Sequence, residues 1–375
     1  MEQSRRAFLK RAAGGVVTAA VAGPVLLAGE EVPPEYHPAM HWRKLEGNRV
    51  ECTLCPRVCR VADLERGFCG VRENRSGTYY TLVYDRICSC NVDPIEKKPL
   101  FHHLPKSLAL SIATAGCNMA CKFCQNWNIS QFRPEQVHHV PVTAQKLVDA
   151  AKQSGCASIA YTYNEPVVFY EQMHDSAVVA RKNGLGAVAI SNGYIRPEPL
   201  KQLAPHMTAY KVDLKAFTDE FYRKTCRGTL KPVLDTLVLI KSLDLWTEIV
   251  VLIVPTLNDK PEETQQMTAW IKKELGPDVP VHFTRFQPTY LMKNLPPTPV
   301  STLERCRKIA LDAGINYVYL GNVTPHEAEH TYCPTCRTVL VERVGFLVRR
   351  NVLKAGACPK CGRKIPGVWA LPAKP

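Results

Sequence analysis

From residue 107 onward the chain alternates short apolar runs with helix-length amphipathic stretches. The apolar runs cover 108–113, 158–163, 187–191, 209–214, 248–254, 281–285 and 317–320. They are short and β-prone, as buried strands are. Between them, 143–154 opens on Thr143 as a cap and carries Ala144, Leu147, Val148 and Ala151 at helical spacing. The stretch 167–183 ends against Gly184, a helix-stop residue. Stretches 230–243, 261–275 and 301–313 complete the series, the last closing on Asp312-Ala313-Gly314. Strands alternating with helices predict parallel βαβ units. Seven strands in one row predict an α/β fold with a full or partial (β/α) barrel rather than two separate sheets.

The polar residues sharpen this picture. Cys117, Asn164, Glu165, Asn192, Lys215, Asn258, Gln287 and Asn322 each stand just after an apolar run. Loop polarity explains any one of them, but eight together point to an active site at the carboxyl ends of barrel strands.

Cysteine changes the picture most. The chain has 375 residues and 16 cysteines, far too long and core-rich for a disulfide-stapled scaffold. Thirteen of these cysteines fall in tight groups, which read as metal or cluster ligands. Cys117, Cys121 and Cys124 form a Cys-x3-Cys-x2-Cys loop directly after the first strand run. Three thiolates this close can wrap one iron–sulfur cube and leave one iron with an open position, since such cubes normally take four cysteines. A three-thiolate zinc site and a redox Cys-x2-Cys are the alternatives. Cys333, Cys336, Cys358 and Cys361 make two knuckles with a zinc-ribbon spacing, a rubredoxin-like single iron being the rival. Cys52, Cys55, Cys59 and Cys69 suit zinc or a second iron–sulfur cluster, and Cys88 and Cys90 could join either. Cys156, Cys226 and Cys306 stand singly and read as core thiols. The expected organisation is a leader at 1–28, an N-terminal cysteine-rich module at 41–106, a barrel at 107–325 and a C-terminal ribbon-like module at 326–375.

Charge adds less. Charged residues make up 22% and the net charge is +14, spread without a block, so there is no strong nucleic-acid signal. Arg343, Phe346, Arg349 and Arg350 lie between the C-terminal knuckles, where a nucleic-acid-binding ribbon would carry such residues. At the start, Ser4-Arg5-Arg6-Ala7-Phe8-Leu9-Lys10 precedes a weakly apolar run, 12–27, broken by glycines and a proline. That run makes a poor membrane span, so no stable transmembrane helix is expected. The pattern resembles a twin-arginine export signal; the expectation is export by that route, with a cytoplasmic location as the alternative.

The cluster loop, with Phe123 as the aromatic before its last cysteine, resembles the signature of the radical S-adenosylmethionine (SAM) superfamily. Cys124-Gln125-Asn126-Trp127 is similar to the branch related to pyruvate formate-lyase activating enzymes. The likeness continues in order through Tyr161-Thr162-Tyr163-Asn164-Glu165-Pro166, Ser191-Asn192-Gly193, Asp213-Leu214-Lys215, Val254-Pro255-Thr256-Leu257-Asn258-Asp259, Arg285-Phe286-Gln287-Pro288 and Tyr319-Leu320-Gly321-Asn322-Val323. With the outer cysteines added, residues 45–371 resemble the radical SAM members of the AmmeMemoRadiSam system.

The resemblance implies a 4Fe–4S cluster on Cys117, Cys121 and Cys124, with SAM chelated to the open iron. One electron from a low-potential donor then splits SAM into methionine and a 5′-deoxyadenosyl radical, which takes hydrogen from the substrate. It also implies that Asn164 and Glu165 face the SAM amine, that Ser191 and Asn192 meet the ribose, and that Lys215 pairs with the carboxylate. Asp213 would hold Lys215 or a cation, and Asn322 would serve adenine or substrate. A protein or peptide substrate is expected by likeness to activating enzymes. A small-molecule substrate and a non-catalytic iron–sulfur or zinc-ribbon binding protein are the alternatives.

Overall fold

The computed structural model describes residues 36–371. The export-like leader lies outside the described residues. Among them, no helix is long and apolar enough to cross a membrane.

Eight strands form the central sheet: β1 (Ser89–Pro94), β2 (Leu108–Ala113), β3 (Ser158–Tyr161), β4 (Gly186–Ser191), β5 (Ala209–Asp213), β6 (Ile249–Ile253), β7 (Val281–Arg285) and β8 (Val318–Gly321). They lie side by side in chain order. Strands β2 to β8 are parallel. A sheet wound in one direction, with helices between its strands, curls toward a barrel. Here it stays open, since β1 and β8 are its two edges. The fold is the expected partial barrel. The sequence reading put residues 41–106 in a separate module, yet β1 runs antiparallel along the whole of β2. The polar stretch Ser-Cys-Asn-Val-Asp-Pro of β1 lacks the apolar pattern that marks the other strands.

The helices are α1 (Ala144–Gln153), α2 (Tyr170–Lys182), α3 (Pro197–Leu203), α4 (Lys231–Ser242), α5 (Pro261–Leu275) and α6 (Val300–Asp312); all but α3 fall where the apolar spacing puts them. Thr143 caps α1, its hydroxyl accepting from the Lys146 amide at 3.4 Å. Leu147, Val148 and Ala151 of α1 and Met267, Ile271 and Leu275 of α5 are buried against the sheet. The expected helix 167–183 starts late, because Pro166–Phe169 forms a separate 3-10 turn capped by Glu165.

The C-terminal module closes on the barrel through residues 101–104. The ribbon-like module is a three-stranded sheet of β9 (Thr331–Tyr332), β10 (Val339–Val344) and β11 (Leu347–Asn351). Arg343, fully buried, donates to the Phe101 carbonyl at 2.8 Å. Val368 donates to the His102 carbonyl at 2.7 Å, and Leu104 donates to the Val368 carbonyl at 2.8 Å. Residues 101–104 and 366–368 are thereby stitched into one seam. Beneath it lies Glu248, whose carboxylate accepts from the Phe101 and His102 amides at 3.0 and 2.7 Å and from His282 Nε2 at 2.7 Å. Burial disfavours its charge, but His282 and the amides outweigh that and hold its pKa down at about 2.

The same seam buries neutral histidines. His102 Nδ1 faces the Pro366 carbonyl at 2.8 Å, so this nitrogen carries the proton, and Nε2 accepts from the Tyr319 hydroxyl at 2.6 Å. Burial lowers His102 and His103 from 6.5 to about 4. The unfolded chain takes up protons below pH 6.5 that the folded one refuses down to about 4, so stability is full above that window and falls through it. Glu248 acts in the same sense lower down, between 4.5 and about 2. Urea unfolding at pH 7 and pH 5 checks this; the expected loss at pH 5 is roughly 2 kcal/mol per histidine. An unchanged midpoint would remove the histidines from the account.

Candidate active site

The loop after β2 carries the three cysteines, and its backbone is fixed from several sides. The Gly116 amide donates to the Ile129 carbonyl at 2.8 Å, the Ala120 amide to Cys226 at 2.9 Å, and the Lys122 amide to Thr225 at 3.0 Å. Gly116 has φ +90, and a Cβ there would stand 2.5 Å from Val71 Cγ1 and 2.7 Å from the Cys69 carbonyl. Only glycine turns the chain into this loop against the N-terminal module. The Met119 amide donates to Cys117 Sγ at 3.4 Å, and the Ser130 hydroxyl lies 3.2 Å from Cys124 Sγ.

The loop opens on a cavity of about 870 Å³ at the carboxyl ends of the strands. Cys117, Cys121, Phe123 and Cys124 line one side, and Asn164, Glu165, Asn192, Asp213, Lys215 and Asn322 line the rest. Most of the sequence-chosen residues are therefore gathered in one space; Ser191, Asn258 and Gln287 do not line it. Ser191 is buried behind it, donating to Glu165 Oε1 at 2.6 Å and receiving the Tyr210 hydroxyl at 3.0 Å. It positions Glu165 rather than lining the cavity, which corrects its expected place at the ribose. Among the other polar residues after strands, Asn258 ties Val254, Leu252 and Lys215 together through its amide and does not line the cavity either.

Glu165 Oε2 also accepts from the Asn192 amide at 2.7 Å. Burial nonetheless pushes its pKa up to about 7. A cation brought alongside would favour its charged form. Asn164 donates to the Gly116 carbonyl at 2.7 Å, which leaves its buried Oδ1 with no partner. Asn192 spends its amide on Asn118 at 2.8 Å and its carbonyl on the Tyr194 amide at 2.8 Å. Lys215 Nζ lies 3.4 Å from Asp213 Oδ2, with Phe123 beneath it at 5.7 Å. Burial opposes the charge on Lys215, but Asp213 and the neighbouring thiols raise its pKa well above the usual lysine value. Asn322 has φ +61 and donates to the Arg285 carbonyl at 3.3 Å.

Sequence reasoning missed several members of the site. Lys211 pairs with Asp213 from the other side, and burial lowers its pKa despite that partner. A lysine inside the otherwise apolar β5 was the available signal. Cys226, read as a core thiol, is buried beside Cys121 and hydrogen-bonds it, which lowers the Cys121 pKa. Gly345 and Phe346, at the turn between β10 and β11, also line the cavity; the local pattern marks Phe346 only as an aromatic of the ribbon.

The donor set fits an iron–sulfur cluster and SAM. Burial pushes the Cys117 and Cys124 thiols up, so these sulfurs need bound positive charge to ionise, as a coordinated metal supplies. The orphaned Asn164 Oδ1 and the buried Glu165 carboxyl await a donor such as an ammonium group. Elsewhere, Cys333, Cys336, Cys358 and Cys361 bring all four sulfurs within 4.8 Å of one another.

Comparison with known proteins agrees. Residues 111–268 match the model of the Radical SAM superfamily. The chain is 46% identical over 330 residues to Uncharacterized protein MJ0808 of Methanocaldococcus jannaschii, covering 87% of this chain and 98% of that one. It is 24% identical over 258 residues to Uncharacterized protein MJ0674 of the same organism, covering 65% and 68%. Among solved structures, a radical SAM methyltransferase from Sphaerobacter thermophilus aligns with a TM-score of 0.48 at 16% identity, covering 58% of this chain and 67% of that one. A domain of pyruvate-formate lyase-activating enzyme from Bacteroides vulgatus aligns with a TM-score of 0.40 at 13% identity, covering 44% and 99%. With its three loop cysteines opening on the cavity after the first parallel strand, and a near-full-length relative at this identity, the chain is an enzyme that belongs to the radical SAM superfamily.

Proposed function

We propose that this enzyme cleaves SAM reductively and uses the resulting radical to take hydrogen from a protein or peptide substrate. When bound, the cluster on Cys117, Cys121 and Cys124 supplies the electron that breaks the sulfonium carbon–sulfur bond. The protein's own residues hold and orient. Glu165, braced by Ser191 and Asn192, would accept from the SAM ammonium, and Asn164 Oδ1 would accept a second hydrogen. Lys215 would reach the SAM carboxylate, with Asp213 and Lys211 fixing its ammonium group.

One observation favours a peptide over a small molecule. The β10–β11 turn reaches the cavity at Phe346, which is 48% exposed, and β11 is an edge strand with one side unpaired. An extended peptide can add to such an edge and present one residue to the cavity. A small-molecule substrate is the second reading. The test is anaerobic turnover with SAM, a low-potential electron donor and deuterated candidate substrates. Deuterium in 5′-deoxyadenosine from a peptide supports the reading; transfer only from small molecules overturns it.

We also propose zinc for the C-terminal four-cysteine site. Cys333 and Cys361 sulfurs lie 3.5 Å apart, and those of Cys336 and Cys358 lie 3.6 Å apart. Tetrahedral zinc with four thiolates spaces its sulfurs by about 3.8 Å. The ion would brace the hairpin that lines the cavity.

A further inference from the structure

The N-terminal cysteines surround a second cavity, separate from the first. Cys52, Cys55, Cys59 and Cys69 all line it, with Arg72 and Tyr79. We propose that these four cysteines hold an iron–sulfur cluster of their own.

Three observations carry this. The first is sulfur spacing. Among the described residues, the set whose ligand atoms all lie within 4.8 Å is the C-terminal one, which suits a single ion. Neither the N-terminal four nor the radical-site three of Cys117, Cys121 and Cys124 contract that far. The four N-terminal cysteines instead ring one narrow gap, which Arg72 and Tyr79 share. Four cysteines held apart around one space are the ligand set of a cluster rather than of one ion.

The second is the donors aimed at sulfur. The Phe68 amide donates to Cys59 Sγ at 3.5 Å, and Arg72 Nη1 lies 3.7 Å from Cys52 Sγ. Hydrogen bonds to the ligating sulfurs are what stabilise the negative charge of a thiolate-bound cluster.

The third is unused polarity. Tyr79 is 1% exposed and its hydroxyl has no partner, and Arg72 Nε is likewise buried without one. Both residues wall the cavity. In a closed apolar core such orphans are costly, and a sulfide-bearing guest would supply acceptors. Gly67 leaves the Tyr79 hydroxyl its room, since a Cβ there would stand 2.8 Å from it.

The site backs directly onto the radical loop. Arg57 donates to the Asn118 carbonyl at 2.6 Å, Asn118 lines the N-terminal cavity, and Cys69 supplies the carbonyl that packs on Gly116. A cluster here stands one peptide layer behind the SAM-facing one.

The test counts metal in the full chain purified without oxygen. A Cys117→Ala, Cys121→Ala, Cys124→Ala variant should keep about four iron and as much acid-labile sulfide per chain, held by the N-terminal cysteines. A Cys52→Ala, Cys55→Ala variant should lose that share and keep the rest, and about one zinc should remain in both. Where the second variant is insoluble, the first decides alone. A radical-site variant without iron or sulfide overturns the proposal, as does a second zinc in the wild-type chain. Both results leave the radical SAM reading intact, because that reading rests on the iron lost with Cys117, Cys121 and Cys124.

Discussion

Cys121→Ala is expected to abolish reductive SAM cleavage, with 5′-deoxyadenosine falling to the level seen without enzyme. Cys121 is buried in the middle of the loop that opens on the 870 Å³ cavity, between two other thiols and next to Cys226. With it gone, two loop thiolates remain for a cube that uses three here. Cys226 is the one nearby thiol that could substitute. It hangs from the strand-following segment at 222–226, whose carbonyls already anchor the Ala120 and Lys122 amides. A Cys121→Ala, Cys226→Ala pair therefore separates rescue from independence. Cleavage that survives in the double variant would refute the central reading. Cys358→Ala, in the ribbon, should leave the cluster iron in place.

Glu165→Ala should weaken SAM binding by about 10- to 100-fold, the cost of roughly 1.4–2.8 kcal/mol for a lost charge-assisted hydrogen bond. Its iron content should match the wild type, because Glu165 contacts Ser191, Asn192 and Val167 rather than a cysteine sulfur. Glu165→Gln keeps the shape and loses the charge, so it tells packing from electrostatics. If Gln restores affinity, the carboxylate charge is not what SAM reads. Calorimetric SAM titration alongside iron analysis checks both outcomes. Lost iron with normal SAM affinity in the remaining loaded protein would refute the assignment.

Much of this site was legible in the sequence, for physical reasons. Barrel strands buried on both faces read as apolar runs, and the chain leaves each one at the same end. Polar residues just past a run tend to face the common cavity, which is why Cys117, Glu165, Asn192, Lys215 and Asn322 were found, while Asn258 and Gln287 stand outside it. Residues inside or behind the strands were not. Ser191 and Asn192 are neighbours, yet one faces the cavity and the other supports it, because successive side chains point to opposite faces. β1 escaped because an edge strand of mixed polarity has no apolar signature, and it pairs with β2 through its backbone. Phe346 escaped because its place depends on a contact between parts of the chain more than two hundred residues apart.

That long-range seam also orders events in time. Residues 96–101 leave the ribosome early, and residues 329–346, which form the facing wall of the cavity, leave after nearly all the barrel has been made. At about 5–20 residues per second, the interval between them lasts on the order of ten seconds or more. For most of it, the three loop cysteines have emerged while the wall that would cover them has not. The nascent barrel is a cup without its lip, and the emergence of residues 329–346 sets the moment at which that cup is finished.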